Sequence, residues 1–360
     1  MLIQTLKIDN FRNISRMMLS FSPKFNAFSG DNAAGKTSIL EAIYVLATAK
    51  SFRSSHHEMM IANTFSEFTL FSESYDGLSV IPIGFQRNRE GFSRIHLRKE
   101  PIKSITEVSQ LLPVLFIGSD SHRILMDGPK VRRQFLDWGL FHTTPDFLAY
   151  WRLYQKLLTH RNAALKARVS REEMMVWNAQ LASTGEQLTQ LRRNYINDFL
   201  PCFRDILMVF FECSAISTHY FPGWSGESSL LECLHHQLSR EFQIGHTLSG
   251  PHRADLILKV DGLPVEEILS QGQQKLVSYA LRLAQGIHFK TVTGKSPIFL
   301  IDDLPSELDF ENQERVTRIL QRLEAQVFIT GIHQQDLEKI LRSDAENTMF
   351  HVKHGEIQAS

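Results

Sequence analysis

FNAFSGDNAAGKTSIL, residues 25–40, decides how the chain is read. It carries a short apolar strand, a glycine-rich turn from Gly30 to Lys36 and a helix opening at Thr37. Gly30, Gly35, Lys36 and Thr37 occupy the four fixed places of G-x-x-x-x-G-K-[ST]. The spacing has a physical reason: glycines let consecutive backbone N–H groups curl around a phosphate, and the helix N-terminus adds partial positive charge behind them. Lys36 is then placed for the β- and γ-phosphates of ATP and Thr37 for Mg2+, with Asp31, Asn32, Ala33, Ala34 and Ser38 completing the cradle. An ordinary Gly/Ala turn would also satisfy so short a pattern, but the strand–loop–helix context favours nucleotide.

The chain has 360 residues, a length that suggests about two domains. Its 39 basic and 39 acidic side chains cancel, so a nucleic-acid partner would need a local basic surface. Cys202, Cys213 and Cys233 are few and lack C-x-x-C spacing, which argues against a disulfide framework or a zinc site. No apolar run approaches a membrane span and the start lacks a signal pattern, so a cytoplasmic protein with no membrane partner is expected.

On the N-terminal side, Leu2 to Asp9 and Arg16 to Phe21 alternate apolar and polar, with Asn10-Phe11-Arg12-Asn13 between them, as in an antiparallel hairpin. Arg12 lies near enough in sequence to reach a nucleotide phosphate, or is a solvated turn arginine. Three strand-like runs, Glu67 to Ser74, Leu78 to Gln86 and Arg94 to Arg98, are separated by Asp76-Gly77 and Glu90-Gly91 and predict a meander. His56-His57 has no third ligand nearby and reads as surface histidine.

Beyond the buried strand predicted at Pro113 to Gly118, GPKVRRQFLDW brings Lys130, Arg132 and Arg133 together as a candidate DNA-binding patch. From Trp151 to Arg171 the charged residues are all basic. Ser170 to Glu173 is a capping box, after which Met174, Trp177, Leu181, Thr184, Leu188, Leu191 and Tyr195 recur at three- and four-residue steps. With Phe147, Tyr150, Tyr154, Leu157 and Ala164 before the box, this predicts a short antiparallel coiled-coil arm; a helical bundle is the alternative. The aromatic stretch Phe203 to Gly226 begins the return.

The second half supplies matching chemistry. After SGPHRAD (249–255) and a strand, LSQGQQK (269–275) opens a long helix with Ser270 as N-cap and Gly272 leaving backbone open, a second anion-receptive helix start. Pro297 to Ile301 is an apolar strand ending in Asp302-Asp303. A carboxylate in that place holds Mg2+ in nucleotide-hydrolysing folds, so Asp302 is the expected metal ligand; Asp303, orienting or polarising the attacking water, and Lys36, on the phosphates, are the expected catalytic residues. Thr330 to His333, after the strand QVFIT, lies where a γ-phosphate sensor belongs.

These motifs resemble the ABC-type ATPase heads of the SMC class, within them the branch serving recombinational repair. The resemblance spans nearly the whole chain: IDNFRN, GDNAAGKTS, SFR at 51–53, GPKVRRQFLDWG, HRNAAL, SGPHRADL, LSQGQQKL and LIDDLPSELD. It implies an α/β head, a mixed sheet with an antiparallel β lobe, formed by 1–126 and 246–360 around a helical arm domain at 127–245. It implies that Ser270, Gly272 and Gln273 contact ATP held by a second copy, in an ATP-dependent homodimer. It further implies weak DNA-dependent ATPase activity, binding to double-stranded and gapped DNA, a RecR-type mediator as partner, and a role in loading recombinase at gaps. Gln271 stands where transporter-type signatures carry Gly, and Asp303 where they carry Glu. A transporter's ATP-binding subunit is the competing reading.

Overall fold

A computed structural model describes residues 1–211, 216–225, 227–341 and 346–358. Cys213 and Gly226 lie outside the described residues. The chain divides into two units, Met1–Ser121 with Tyr279–Ser360, and His122–Ser278.

The first unit has two six-stranded sheets. One is antiparallel. The hairpin Leu2–Phe11/Ile14–Ser20 turns on only Arg12 and Asn13, and is followed across the sheet by Glu67–Tyr75, Val80–Asn88, Ser93–Leu97 and a short strand, Glu100–Ile102, that the alternation pattern did not reveal. The other sheet runs Glu356–Gln358, Thr348–Lys353, Phe25–Ser29, Val327–Thr330, Ile298–Ile301, Val114–Ile117, and every pair but the terminal hairpin is parallel. Its central strands are mostly apolar and buried on both faces, as parallel strands require.

The helix Lys36–Thr48 is buried nearly all round, and its Ile39, Leu40, Ile43 and Leu46 share one core with Leu6 and Ile8 of the first sheet and Leu300 and Phe328 of the second. A helix buried on nearly every face must be enclosed, and here both sheets contribute to the core around it. Where the first strand bulges between Ile3 and Thr5, the buried amide of Gln326 accepts from Ile3 N–H at 2.8 Å and donates to the carbonyls of Ile3 and Ser22.

The second unit is helical. Phe147–Ala167 and the 40-residue Arg171–Phe210 run antiparallel, and Ser170 Oγ caps the second by accepting from Glu173 N–H at 3.1 Å. The expected two-helix seam is replaced by a wider stripe: Asn178, Ala182, Gly185, Thr189 and Arg192 are buried beside Met174, Leu181, Leu188 and Tyr195, whereas Trp177 and Leu191 are only half-buried. The reason is a third helix, Leu230–Ile244, capped by a complete Ser229/Glu232 box, whose Leu238 joins a core with Leu165 and Met174. The arm is therefore a packed bundle, in which each helix needs a broader apolar face than a two-stranded coil does. This unit also holds a three-stranded sheet in which Asp255–Val260 pairs with Ile216–Phe221, so it continues past 245 and runs to Ser278.

Candidate nucleotide-binding site

The strands Phe25–Ser29, Val327–Thr330 and Ile298–Ile301 are parallel neighbours, so the loop after the first, Thr330 at the end of the second and Asp302 just past the third fall at the same carboxyl edge. Ligands of open α/β sheets bind outside such an edge. Gly30 begins the loop at φ +142°, and a Cβ there would lie 2.2 Å from the Val352 carbonyl oxygen, so only glycine lets the loop pass the C-terminal strand. The same hairpin props the loop from below: Gly355, at φ +79°, donates its N–H to the Ala34 carbonyl at 2.8 Å. Asn13 ties in the other side, donating to the Ala33 carbonyl at 3.0 Å and accepting from Ser38 Oγ at 2.8 Å.

Above this edge lies a cleft of about 590 Å3. Asn32 to Ser38, Arg53, Ser119, Asp302, Asp303 and Thr330 contribute to its lining. Thr37 Oγ1 stands 3.0 Å from both carboxylate oxygens of Asp302, although the residues are 265 apart in sequence. Thr330 Oγ1 donates to Asp302 Oδ1 at 2.7 Å and accepts from Asp303 N–H at 2.7 Å, so one hydroxyl fixes both acids. Burial raises the Asp302 pKa, opposed by the hydrogen bonds from Thr330 and Thr37. Asp303 takes φ +56°, a strained region for a side chain of its size, and its Oδ1 is buried without a hydrogen-bond partner. The buried Lys36 ammonium donates to the carbonyls of Gly30 and Asp31 at 2.6 and 2.8 Å. Desolvation lowers its pKa, and Asp303, Asp302 and Asp31 act against that.

Other expected residues are placed differently. Arg12 borders the cleft, but its guanidinium holds the fully buried Glu41 with two bonds of 2.5 and 2.8 Å and also reaches the Met59 carbonyl. That pairing offsets the charge of the buried acid. Arg53, half-exposed and 3.5 Å from the same carboxylate, is the more open cation. Glu41 went unnoticed, although a lone acid within SILEAIYVLA was its signal. His333 is exposed and outside the lining, to which Thr330 alone of that segment contributes. Ser270 Oγ accepts from Gln273 N–H at 3.3 Å, the Gln273 side chain accepts from Ser270 N–H at 3.0 Å, and a Cβ on Gly272 would meet nothing. Among the basic trio, Arg132 is committed to Asp255 at 2.7 and 3.0 Å and to the Asp127 carbonyl. Arg133 donates to the Ala254 carbonyl at 2.8 Å, and Lys130 is exposed. Among the described residues no cluster could hold a metal through three or more His, Cys, Asp or Glu, and His57 bonds the Arg89 carbonyl.

An antiparallel lobe and a parallel sheet closing on a phosphate-loop helix, interrupted by a helical insertion, define the head of an ABC-type ATPase of the SMC class. Comparison with known proteins agrees. The model of the RecF/RecN/SMC N terminal domain family matches residues 2–358. The DNA replication and repair protein RecF of Coxiella burnetii (strain Dugway 5J108-111) is 43% identical over 357 residues, covering 99% of both chains. That of Pseudomonas aeruginosa (strain LESB58) is 38% identical over 99% of this chain and 97% of its own. Among solved structures, the recombination mediator protein RecF with ATP, in the RecFOR pathway, superposes with a TM-score of 0.86 at 25% identity over 99% of this chain and 97% of that one. An Smc head bound to the C-winged helix domain of ScpA gives 0.60 at 14% identity over 99% and 96%, a likeness of fold. The chain belongs to the RecF family of DNA replication and repair proteins, and the transporter reading is set aside.

Proposed function

We propose that this protein is an ATP-driven switch on DNA: ATP joins two copies, DNA tightens the joined form, and slow hydrolysis releases it. The carrying observation is the 3.0 Å approach of Thr37 Oγ1 to both Asp302 oxygens. Two hard oxygen donors from separate motifs converge there, a donor set that suits Mg2+. Thr37 and Asp302 would hold Mg2+, which would supply positive charge against that of the phosphates. Lys36 would exchange its loop carbonyls for the β- and γ-phosphates. Asp303, with one carboxylate oxygen unpartnered, would orient the attacking water and take its proton, and Thr330 keeps both acids in register.

Ser270, Gly272 and Gln273 would complete the site of a second copy, so nucleotide held by both copies stabilises the pair, and DNA that prefers the pair stabilises it further. The names of the relatives support DNA as partner. Lys130 and Arg133 remain candidates for phosphate contact, and a RecR-type mediator, gapped DNA and recombinase loading in the cytoplasm complete the reading. Among the described residues no helix is long and apolar enough to cross a membrane.

Sedimentation with and without ATP and duplex DNA is the test. Dimer should form only with ATP and sediment with DNA, and Asp303→Asn should accumulate it. A monomer under all these conditions would end the switch reading.

A further inference from the structure

The helix Gln271–Thr293 is followed, after the short link 294–297, by the strand Ile298–Ile301, so the two run in opposite directions. Gly286 shows where they touch: a Cβ there would lie 2.5 Å from the Phe299 ring and 3.4 Å from Pro297. Tyr279 is seven residues earlier, two turns along the same helix face and about 10 Å nearer the helix start. Asp302 is three residues beyond Phe299, also about 10 Å along the strand direction. The two displacements coincide, and Tyr279 arrives at the acidic edge of the nucleotide cleft. Tyr279, Gly286 and the strand all belong to the first unit.

Tyr279 is 1% exposed, and its Oη is buried with no hydrogen-bond partner among the described residues. A buried hydroxyl left without a partner is costly, so one kept beside a reaction site calls for a reason. Burial raises the pKa of this phenol, and the charges of Glu307, Asp302 and Asp303 raise it further. It therefore stays protonated, a donor set among acids.

Those acids are not equivalent. Asp302 accepts from Thr37 on both oxygens and from Thr330 on one, whereas Asp303 Oδ1 is buried and has no donor. An orphan donor and an orphan acceptor thus meet at one edge of the sheet. The backbone there is pinned: Asp303 N–H is held by Thr330 Oγ1 at 2.7 Å, and the next turn by Gln313, whose amide donates to the Pro305 carbonyl at 3.2 Å. Side-chain rotation is what remains to join the two. A carboxylate held at one oxygen presents the other in a single orientation, which is what a group directing water requires.

We propose that Tyr279 is a positioning residue for ATP hydrolysis, its hydroxyl donating to Asp303 Oδ1 while the other carboxylate oxygen faces the attacking water. The proposal rests on the role given to Asp303 above and adds the group that orients it.

The test uses the full chain and compares wild type, Tyr279→Phe, Asp303→Asn and the double variant in Mg2+-dependent ATP hydrolysis and in melting without nucleotide. Tyr279→Phe keeps the ring and removes one oxygen. Its kcat should fall roughly tenfold to a hundredfold, the size of one hydrogen bond to a charged group, with KM for ATP changed less than about twofold. Its melting temperature should equal or exceed that of wild type, because the oxygen removed has no partner to lose. In single turnovers, Tyr279→Phe should add nothing to the loss caused by Asp303→Asn, since the two side chains act as a unit.

An unchanged kcat in Tyr279→Phe would overturn the proposal. So would a lower kcat accompanied by a lower melting temperature, which would make the hydroxyl a structural group with a bond of its own. An equal proportional loss in the Asp303→Asn background would also overturn it, sending the hydroxyl to another acid, Glu307 first. If Asp303→Asn alone hydrolyses ATP as wild type does, the role of Asp303 itself is removed, and that result is read before any Tyr279 variant is measured.

Discussion

Asp302 is a residue at which burial and chemistry pull in opposite directions. Its raised pKa means that the folded chain binds its proton more tightly than the unfolded chain does, so its contribution to stability falls as pH rises from the ordinary carboxylate value to the raised one. Asp302→Asn should therefore melt higher than wild type at neutral pH without nucleotide, with the gain vanishing below about pH 4, while losing Mg2+-dependent ATP hydrolysis. Melting curves across pH check this, and a lower neutral-pH melting temperature would contradict it. Lys36, Thr37, Asp302 and Asp303 were legible because phosphate and metal chemistry requires particular groups at particular spacings. Arg12 was not, because its partner Glu41 is brought to it only by the folded packing of strand against helix. Nor could a sequence show that Arg132 is engaged by an acid 123 positions away.

Among the elements, the three helices of the bundle are locked by a fully buried ion pair. Arg161 donates to Glu241 at 2.6 Å, to Asn178 at 2.9 Å and to Thr247 at 2.7 Å, and Glu241 also accepts from Leu248 N–H. Removing one partner leaves a buried charge alone, so Glu241→Ala should cost roughly 3–5 kcal/mol in urea denaturation. Arg161→Met with Glu241→Leu should recover most of that loss. A double variant as unstable as the single one would show that shape, rather than charge, decides there. The hairpins and the Ser170 cap could be read from alternation and local hydrogen-bonding chemistry. The helix Leu230–Ile244 carried the same signal in Ser229-Leu230-Leu231-Glu232, yet went unread, and so the arm was expected to be a pair of helices. Heptad-like spacing shows that a helix is covered on one side. The width of the cover, which separates coil from bundle, depends on a partner remote in sequence.

For the whole molecule, the prediction concerns pairing. If Ser270 serves the site of a second copy, Ser270→Arg should leave nucleotide binding by the single copy intact and should abolish ATP-dependent dimers in sedimentation. A large loss of nucleotide affinity in this variant would mean that the Ser270 helix start serves its own copy. The strand order has another result, for the birth of the protein. Phe25–Ser29, made early, is flanked in its sheet by Val327–Thr330 and Thr348–Lys353, made late, and the loop that follows it is propped by Gly355. During synthesis the ribosome must therefore translate some three hundred residues before the phosphate loop acquires its neighbours, and a truncated product has no finished grip on nucleotide. Premature termination thus yields chains whose phosphate loop lacks the neighbours that hold it.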